Sequence, residues 1–352
     1  MAHNKIKDLS LNYLLIAILS TFSISTFAKG FSKREFPISF NKSIVSNFDS
    51  LPLEGMIEDK VKVWPASHWQ NYLGNISYRW SAASNQSFTY PLYNKSEILL
   101  LEPHEISVLS PAEKLDLLRG NYSFPMARKL INKHSPNTPT WHGICHGMAV
   151  AAIHHDEPIP VKLTNADGIE IDFYSSDIKG LLSYFYAYHA KASYKQLGKR
   201  CYKANSKKRA CLGLNPASFH LILANNNGLK GESFVVDIDS GPEVWNHVIQ
   251  SYSSYIVNEA EVDSTSSLKA VKRVRVQTAV EYAGVIVPKF DPVIGTDNES
   301  YFQQNYDYYL ELDKNGDVVG GEWISDRRPD FIWHKGKSKF INKWSFLNKL
   351  VE

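Results

Sequence analysis

The chain has 352 residues, of which 43% are hydrophobic and 12% aromatic, and its formal net charge is +3 at pH 7. This composition is typical of a globular protein long enough for one large domain or two small ones. Lysines and arginines are scattered apart from the short cluster Lys207-Lys208-Arg209, which is too small to indicate nucleic-acid binding.

The N-terminus has the features of a secretory signal peptide. Lys5 and Lys7 precede the apolar run Leu14–Leu19, and Thr26-Phe27-Ala28 supplies small residues for cleavage. The run is too short to span a bilayer, and no later stretch is long and apolar enough. We therefore expect residues 1–28 to be removed and the mature protein to be secreted or periplasmic, without membrane attachment.

The chain contains three cysteines, Cys145, Cys201 and Cys211. Cys201 and Cys211 flank a polar, basic loop, and in an oxidising compartment such a pair is a candidate disulfide. If these two pair, Cys145 is left over as a candidate reactive thiol. Pairing of Cys145 with one of the others is the less economical alternative.

Residues 29–105 form a polar N-terminal region with few periodic segments, either a small subdomain or a pro-segment that covers a cleft. Ser110-Pro111-Ala112-Glu113 then predicts a helix start with a capping box, and Gly120 predicts its end. A second helix is predicted to begin at Cys145 and to end before Pro158.

The second half of the chain has the patterns of strands. Val161–Phe173 predicts a hairpin, and a helix is predicted from Asp177 to about Ala190. Further strands are predicted at His220–Asn225, Ser233–Asp239, Tyr252–Val257, Val271–Val287, Tyr306–Leu312 and Val318–Trp323. Turns are predicted at Asn226-Asn227-Gly228 and Asn315-Gly316. Helices followed by antiparallel strands predict an α+β fold.

The stretch T-W-H-G-I-C-H-G-M-A-V-A-A places Cys145 at the predicted start of its helix. Unpaired N–H groups at a helix N-terminus favour a thiolate and lower the thiol pKa. The Cys145 amide is also free to donate to an oxyanion, and Gly143 and Gly147 leave room for a substrate backbone. We therefore interpret Cys145 as a nucleophile, with a buried structural cysteine as the alternative.

His142, Cys145 and His146 are also potential metal ligands. Zinc sites usually need a fourth ligand and a second ligand pair at matching spacing, which the sequence lacks, so no metal site is predicted. Asp313–Asp317 resembles half a calcium loop, but position 324, where the closing Glu would stand, is Ile. A β-turn explains this segment better, and calcium dependence stays open.

Twelve histidines are candidates for the base that deprotonates Cys145. His220 is favoured because it opens the predicted strand H-L-I-L-A, whose end can face a cleft; a core histidine is the alternative. The next predicted strand ends in Asp237-Ile238-Asp239, so an antiparallel hairpin would bring His220 beside one of these carboxylates. Asp237 is preferred as the group that orients the imidazole, and Asp239 is the alternative.

Six stretches between Leu109 and Trp333 form one set of sequence motifs: L-S-P-A-E-K-L-D-L-L, W-H-G-I-C-H-G-M-A, D-I-K-G-L-L, N-P-A-S-F-H-L-I-L-A-N, D-I-D-S-G-P-E-V-W-N and G-G-E-W-I-S-D-R-R-P-D-F-I-W. As a set they resemble the transglutaminase elicitor family, the cell-wall transglutaminases of oomycetes and their secreted bacterial relatives. One departure is Trp245-Asn246-His247-Val248, where the resemblance leads us to expect Trp-Asn-Gln-Pro.

The resemblance implies a papain/transglutaminase-like α+β core, with the nucleophile at a helix N-terminus packed on an antiparallel sheet, in a catalytic domain of residues 106–352. It implies a Cys–His–Asp triad at Cys145, His220 and Asp237. The implied reaction transfers the acyl group of a protein glutamine side chain to a primary amine, such as lysine or a polyamine. The sequence requires no cofactor for this reaction.

Two tryptophans are candidates for the substrate channel. The Trp141 indole N–H would stabilise the oxyanion, and Trp141 and Trp245 would screen the thioester from water, with core packing as the alternative. Trp323 and Trp333 are interpreted as structural. The alternative functions are a cysteine peptidase or glutamine deamidase with the same triad, and a non-catalytic host-recognition protein.

Overall fold

The computed structural model describes residues 37–40, 42–57, 62–84, 86–88, 90–200 and 213–351. No helix within these ranges is long and apolar enough to cross a membrane. The predicted signal peptide and the predicted pair Cys201 and Cys211 lie outside the described residues.

The described residues form short and medium helices and a set of strands. The helices are α1 (Lys95–Ile98), α2 (Pro103–Ser107), α3 (Pro111–Leu118), α4 (Pro125–Lys133), α5 (Cys145–His154), α6 (Ser175–Tyr188), α7 (Pro216–Ile222) and α8 (Asn348–Val351). The strands are β1 (Glu54–Met56), β2 (Val161–Thr164), β3 (Glu170–Phe173), β4 (Tyr194–Gly198), β5 (Val235–Asp237), β6 (Asn246–Ala260), β7 (Lys272–Ala283), β8 (Tyr301–Leu312), β9 (Val318–Trp323) and β10 (Phe331–Lys335).

Several predicted elements are confirmed. At the start of α3, the Ser110 hydroxyl accepts the Glu113 N–H at 3.3 Å and the Glu113 carboxylate accepts the Ser110 N–H at 3.0 Å, which is the predicted capping box. The predicted helix at Cys145 is α5, and the predicted hairpin is the pair β2 and β3. The predicted turn at Asn315-Gly316 is present, with Gly316 at φ 81° donating its N–H to Asp313 O at 3.0 Å.

The main sheet is antiparallel and has the strand order β4-β10-β5-β6-β7-β8-β9, with β1 paired to β6. The strands predicted from Ser233 onward correspond to β5–β9, with shifted ends. The helices that pack on the sheet come mostly before it in the chain, so the predicted α+β class is confirmed.

The predicted strand at His220–Asn225 is wrong, because this segment is helical. The Asn215 side chain accepts the Ala217 N–H at 2.9 Å and Pro216 takes the first helical position, so α7 begins there. A π-helical turn, Leu223–Gly228, continues it and includes the segment predicted as a turn. The run H-L-I-L-A is buried on all sides, and periodicity cannot separate helix from strand in so short an apolar run.

Alternation of side chains across the sheet separates two hydrophobic clusters. Val235 and Val248 belong to the cluster that contains α5 and α6. Their neighbours Val236 and Ile249 belong to the other cluster, which contains α7. Helices α5 and α7 therefore lie on opposite faces of the sheet.

The described part of the N-terminal region contributes to the first of these clusters. Trp64, Trp69 and Ile76 are each no more than 1% exposed and pack in the cluster that contains α5. Strand β1 adds to the sheet by pairing with β6. The segment before residue 105 is thus continuous with the core on which α5 rests.

Candidate active site

Cys145 is the first residue of α5 and its side chain is 5% exposed. The preceding residue, Ile144, donates its N–H to His68 O at 2.7 Å, which fixes the chain at the entry to the helix. As the first helical residue, Cys145 has a backbone N–H with no partner inside the helix. The thiol and a free N–H donor therefore lie together at the helix N-terminus.

Asn246, at the start of β6, lies opposite the thiol. Its Nδ2 is 3.5 Å from Cys145 Sγ, and its Oδ1 accepts the Trp333 indole N–H at 2.7 Å. An indole nitrogen only donates, so this second bond assigns the amide oxygen and turns the NH₂ group toward the sulfur. On the acceptor side, Val244 O is 3.8 Å from Sγ.

Asp237 ends β5 and pairs with Asn246 across the two strands. It has the same parity as Val235, so its side chain faces the α5 side of the sheet. One carboxylate oxygen accepts the Trp245 N–H at 2.9 Å, and the other, Oδ2, is buried without a hydrogen-bond partner among the described residues. Cys145 and Asp237, two members of the predicted triad, are thus at one site.

Burial raises the pKa of Asp237 to about 8. The Trp245 N–H opposes this shift, the charges of Asp330 and Asp239 add to it, and the charge of Arg200 again lowers the pKa. A carboxyl group with this pKa changes its protonation state near neutral pH, which is the range useful for proton transfer.

The Cys145 thiol has a raised pKa, contrary to the expectation from its helix N-terminus. Burial is the largest cause, and hydrogen bonds from Asn246 and from the His146 N–H oppose it. The negative charge of Asp237 raises the thiol pKa further. Desolvation of the anion therefore outweighs the helix dipole, and the resting sulfur is a protonated thiol.

His220 is not brought to Cys145. It lies in α7, on the other face of the sheet, and is fully buried. Its Nδ1 is 2.8 Å from the Tyr308 hydroxyl and its ring stacks on Phe48 with centroids 6.0 Å apart. The predicted hairpin contact of His220 with Asp237 or Asp239 is wrong, because it assumed a strand. As a base, His220 stays a sequence prediction that no contact supports.

The other predicted residues are distributed around the site. Asp239 accepts the Gly241 N–H at 2.7 Å and belongs to a turn. Trp141 lies half-buried, its ring 5.4 Å from the Arg200 guanidinium. Trp245 is also half-buried, and its indole N–H donates to Glu243 at 2.8 Å. The bond from the Trp245 N–H to Asp237 keeps Trp245 beside the site, and the predicted roles of both tryptophans in the substrate channel stay predictions.

Gly143 and Gly147, on either side of Cys145, allow close packing of the protein backbone. A Cβ at Gly143 would lie 2.2 Å from His68 O, and a Cβ at Gly147 would lie 2.0 Å from Ser183 O on α6. The neighbouring space is filled by the protein itself. The expectation that these glycines leave room for a substrate backbone is therefore wrong.

His68 lies against the Cys145 loop, and nothing in the sequence pattern pointed to it. Its ring centroid is 5.2 Å from that of Trp245, and Nε2 is 3.1 Å from Thr140 O. A carbonyl only accepts, so Nε2 carries a proton, while buried Nδ1 has no hydrogen-bond partner among the described residues. Burial lowers the pKa of His68, so the ring is a neutral imidazole with an unused acceptor.

An open cavity of about 690 Å³ adjoins the thiol. Asn246 and Val244, which both contact Cys145 Sγ, are among its lining residues, together with His146 and Trp333. The sulfur is therefore buried at rest but lies behind the wall of a space large enough for a peptide side chain.

The described residues contain no group of three or more His, Cys, Asp or Glu side chains that could hold a metal ion. In the segment predicted as a β-turn, Asp313 Oδ1 accepts the N–H groups of Asn315 and Asp317, at 2.8 and 3.0 Å. The half calcium loop of the sequence is thus an ordinary turn stabilised by an aspartate side chain.

The transglutaminase elicitor family model matches residues 121–342. The chain therefore belongs to this family, and the resemblance inferred from the six stretches is confirmed. The fold is similar to the crystal structure of the GP42 transglutaminase from Phytophthora sojae, with a TM-score of 0.70 and 22% sequence identity, over 92% of this chain and 98% of that chain. This likeness confirms the predicted fold. No curated protein sequence matches the chain.

Three residues of the site, Asn246, Trp333 and His68, were absent from the predicted triad and channel. Asn246 and Trp333 lie in stretches that carry the family resemblance, so a signal for them existed. An amide that does not titrate and a tryptophan far from Cys145 in the sequence are not singled out by reasoning about nucleophiles and bases. His68 has no sequence signal, because its position depends on the fold of the N-terminal region.

Proposed function

We propose that this protein is a secreted acyltransferase of the transglutaminase type. Cys145 would form a thioester with a protein glutamine side chain and pass the acyl group to a primary amine. The observation that carries the proposal is the arrangement of Cys145, Asn246 and Asp237 at a helix N-terminus beside an open cavity. Membership of the transglutaminase elicitor family supports the same reaction class.

Asp237 takes the place of the predicted histidine in this proposal. It is the titratable side chain whose charge acts on the Cys145 thiol, and its Oδ2 is unused. In molecules in which Asp237 is ionised, its carboxylate would accept the thiol proton as sulfur attacks the γ-carboxamide carbon. The proton would then leave with ammonia, and the thioester would remain.

In the second half of the reaction, an amine releases the acyl group from the thioester. A neutral amine would attack the thioester carbon, the carbon–sulfur bond would break, and the proton lost by the amine nitrogen would return to the sulfur through Asp237. The Cys145 N–H at the start of α5 would stabilise the oxyanion in both halves. Water in place of the amine would give a deamidase.

A non-catalytic recognition protein is the second candidate. One observation favours it: among the hydrogen bonds of the described residues, none joins a histidine ring to Cys145 Sγ, and the thiol pKa is raised. Such a protein would keep its activity toward a host when Cys145 is replaced.

The test uses purified mature protein, a glutamine-donor protein and a fluorescent primary amine, followed by mass spectrometry. Incorporation of the amine that is lost in Cys145→Ala supports the transferase. Conversion of glutamine to glutamate without incorporation would make the protein a deamidase, and backbone cleavage would make it a peptidase. Absence of every product, with and without calcium, would favour the recognition protein.

A further inference from the structure

The cavity beside Cys145 is lined on one side by the sheet. Tyr194 and Gln196 of β4 line it, followed by Phe331 and Trp333 of β10 and then Asn246 of β6. The order of these strands sets the direction of the cavity: it runs from the edge strand β4 inward to the residue that contacts the thiol. The opposite wall comes from the end of α6 and the residues after it.

The outer end of the cavity is aromatic and open. Tyr194 is 56% exposed, and its ring centroid is 5.5 Å from that of Trp333. An exposed aromatic side chain in contact with a buried one gives a surface on which the apolar part of a peptide can pack. A ligand that enters there would reach Asn246, which contacts Cys145 Sγ, at the inner end.

The charged side chains that line the cavity are lysines. Lys191 and Lys335 contribute to the lining, and the described lining residues include no carboxylate. Lys335 Nζ donates to Tyr186 O at 2.9 Å, which holds this cation at the wall. His146 adds no charge at neutral pH, because burial and the nearby Lys335 lower its pKa to about 4. The cavity is therefore positive.

A positive cavity discriminates between the two substrates of the proposed reaction. An amine acceptor such as lysine is cationic in water and would be repelled. A glutamine side chain is neutral, and an acidic residue next to it in the donor would be attracted. The amine would more readily approach on the side of Trp245, whose indole N–H donates to the Glu243 carboxylate at 2.8 Å.

We propose that this cavity is the acyl-donor subsite and that it selects glutamine-containing peptide segments with an aspartate or glutamate beside the reactive glutamine. This inference rests on the proposed function, since it assigns the cavity to one of the two substrates. Lys335 and Lys191 are then the residues that determine donor specificity, and the aromatic side chains of β4 and β10 hold the peptide.

The test compares three donor peptides that share one glutamine core and carry glutamate, alanine or lysine at the flanking positions. Hydroxylamine serves as a neutral acceptor, so charge effects on the acceptor do not enter. We expect kcat/KM for the glutamate peptide to exceed that for the lysine peptide by about three- to tenfold at low salt, as expected for partly exposed charge pairs. The preference should shrink at about 0.5 M salt.

The double variant Lys191→Gln/Lys335→Gln should reduce the preference to less than about twofold. Lys195→Gln is the matched control. Lys195 lies on β4 between the lining residues Tyr194 and Gln196, but it alternates to the other face, where its Nζ donates to Phe40 O at 2.9 Å. The control should keep the wild-type preference. Equal kcat/KM for the three peptides, or a preference that survives in the double variant, would overturn the inference.

Binding of the same peptides to the Cys145→Ala variant separates this inference from the proposed function. Fluorescence anisotropy with labelled peptides should give the affinity order glutamate, alanine, lysine at low salt. This order without any turnover by the wild type would support the cavity as an acidic-peptide site and overturn the transferase. Turnover of all peptides without a charge preference would leave the transferase standing and overturn the donor subsite.

Discussion

The site around Cys145 and the surroundings of His220 lie on opposite faces of one sheet and have much in common. Each contains a buried titratable group with a shifted pKa, about 8 for Asp237 and about 4 for His220. Each also contains a buried polar atom without a hydrogen-bond partner among the described residues, Asp237 Oδ2 and His220 Nε2. A perturbed pKa alone would mark both as candidate functional sites.

The two regions differ in whether their hydrogen bonds are buried inside the protein and in whether a substrate can reach them. His220 Nδ1 starts a buried series of hydrogen bonds through Tyr308 and Thr278 to Ser254, with distances of 2.8, 2.7 and 2.7 Å. At the other site, Asn246 contacts the thiol and also lines an open cavity. A shifted pKa therefore identifies an active site only where a substrate can reach the group.

Replacement of the thiol should have the largest effect. In Cys145→Ala, acyl transfer should fall by at least about 10³-fold, because the covalent intermediate cannot form. The incorporation of a fluorescent amine, measured alongside the melting temperature of the variant, checks this. A variant that is folded and still active would show that Cys145 is not the nucleophile.

Asp237→Asn should separate proton transfer from thiol ionisation. Acyl transfer should fall by about 10²- to 10³-fold, because the proton acceptor is lost. Above pH 8, where Asp237 is ionised, alkylation of Cys145 by iodoacetamide should become faster, because the negative charge that raises the thiol pKa is removed. Rates that move in the same direction would contradict the assignment of Asp237 as the base.

His220→Gln should cost stability rather than chemistry. Loss of the buried ring and of its bond to Tyr308 should lower the free energy of unfolding by about 2–4 kcal/mol. Transfer by the folded fraction should stay within about threefold of wild type. Denaturant unfolding and single-turnover kinetics measure the two effects, and Tyr308→Phe is the matched control. A folded His220 variant without activity would restore the histidine of the sequence prediction.

His220 and Asp237 should also make the free energy of unfolding depend on pH in opposite directions. His220 has a lowered pKa, so it stays neutral in the folded state while the unfolded state binds a proton, and stability is lost as pH falls from about 6.5 toward 4. Asp237 has a raised pKa, so the folded state retains a proton that the unfolded state releases, and stability is lost as pH rises from about 4 toward 8.

Melting temperatures of the wild type and of Asp237→Asn across this pH range test the alkaline side. The difference between the two should grow in favour of the variant as pH rises. A constant difference would mean that Asp237 is ionised in the folded protein throughout the range.

Local signals in the sequence were sufficient for the helix that carries Cys145, the capping box at Ser110 and the antiparallel strands β5–β9. They failed at His220, because a short, fully buried apolar run has the same composition in a helix and in a strand. That one error predicted a contact between His220 and Asp237, whereas the two residues lie on opposite faces of the sheet. Asn246 and His68 depend on strand register and on a distant loop, which local patterns do not encode.

The most direct test of Cys145 as the nucleophile and Asp237 as the base is to trap the acyl-enzyme. Wild type and His220→Gln are mixed with a glutamine-donor peptide without an amine, quenched in acid and analysed by peptide mass spectrometry. Both proteins should carry the donor, less ammonia, on Cys145, and Asp237→Asn should not. An adduct on another residue, or one that is lost in folded His220→Gln and kept in Asp237→Asn, would contradict this assignment of roles.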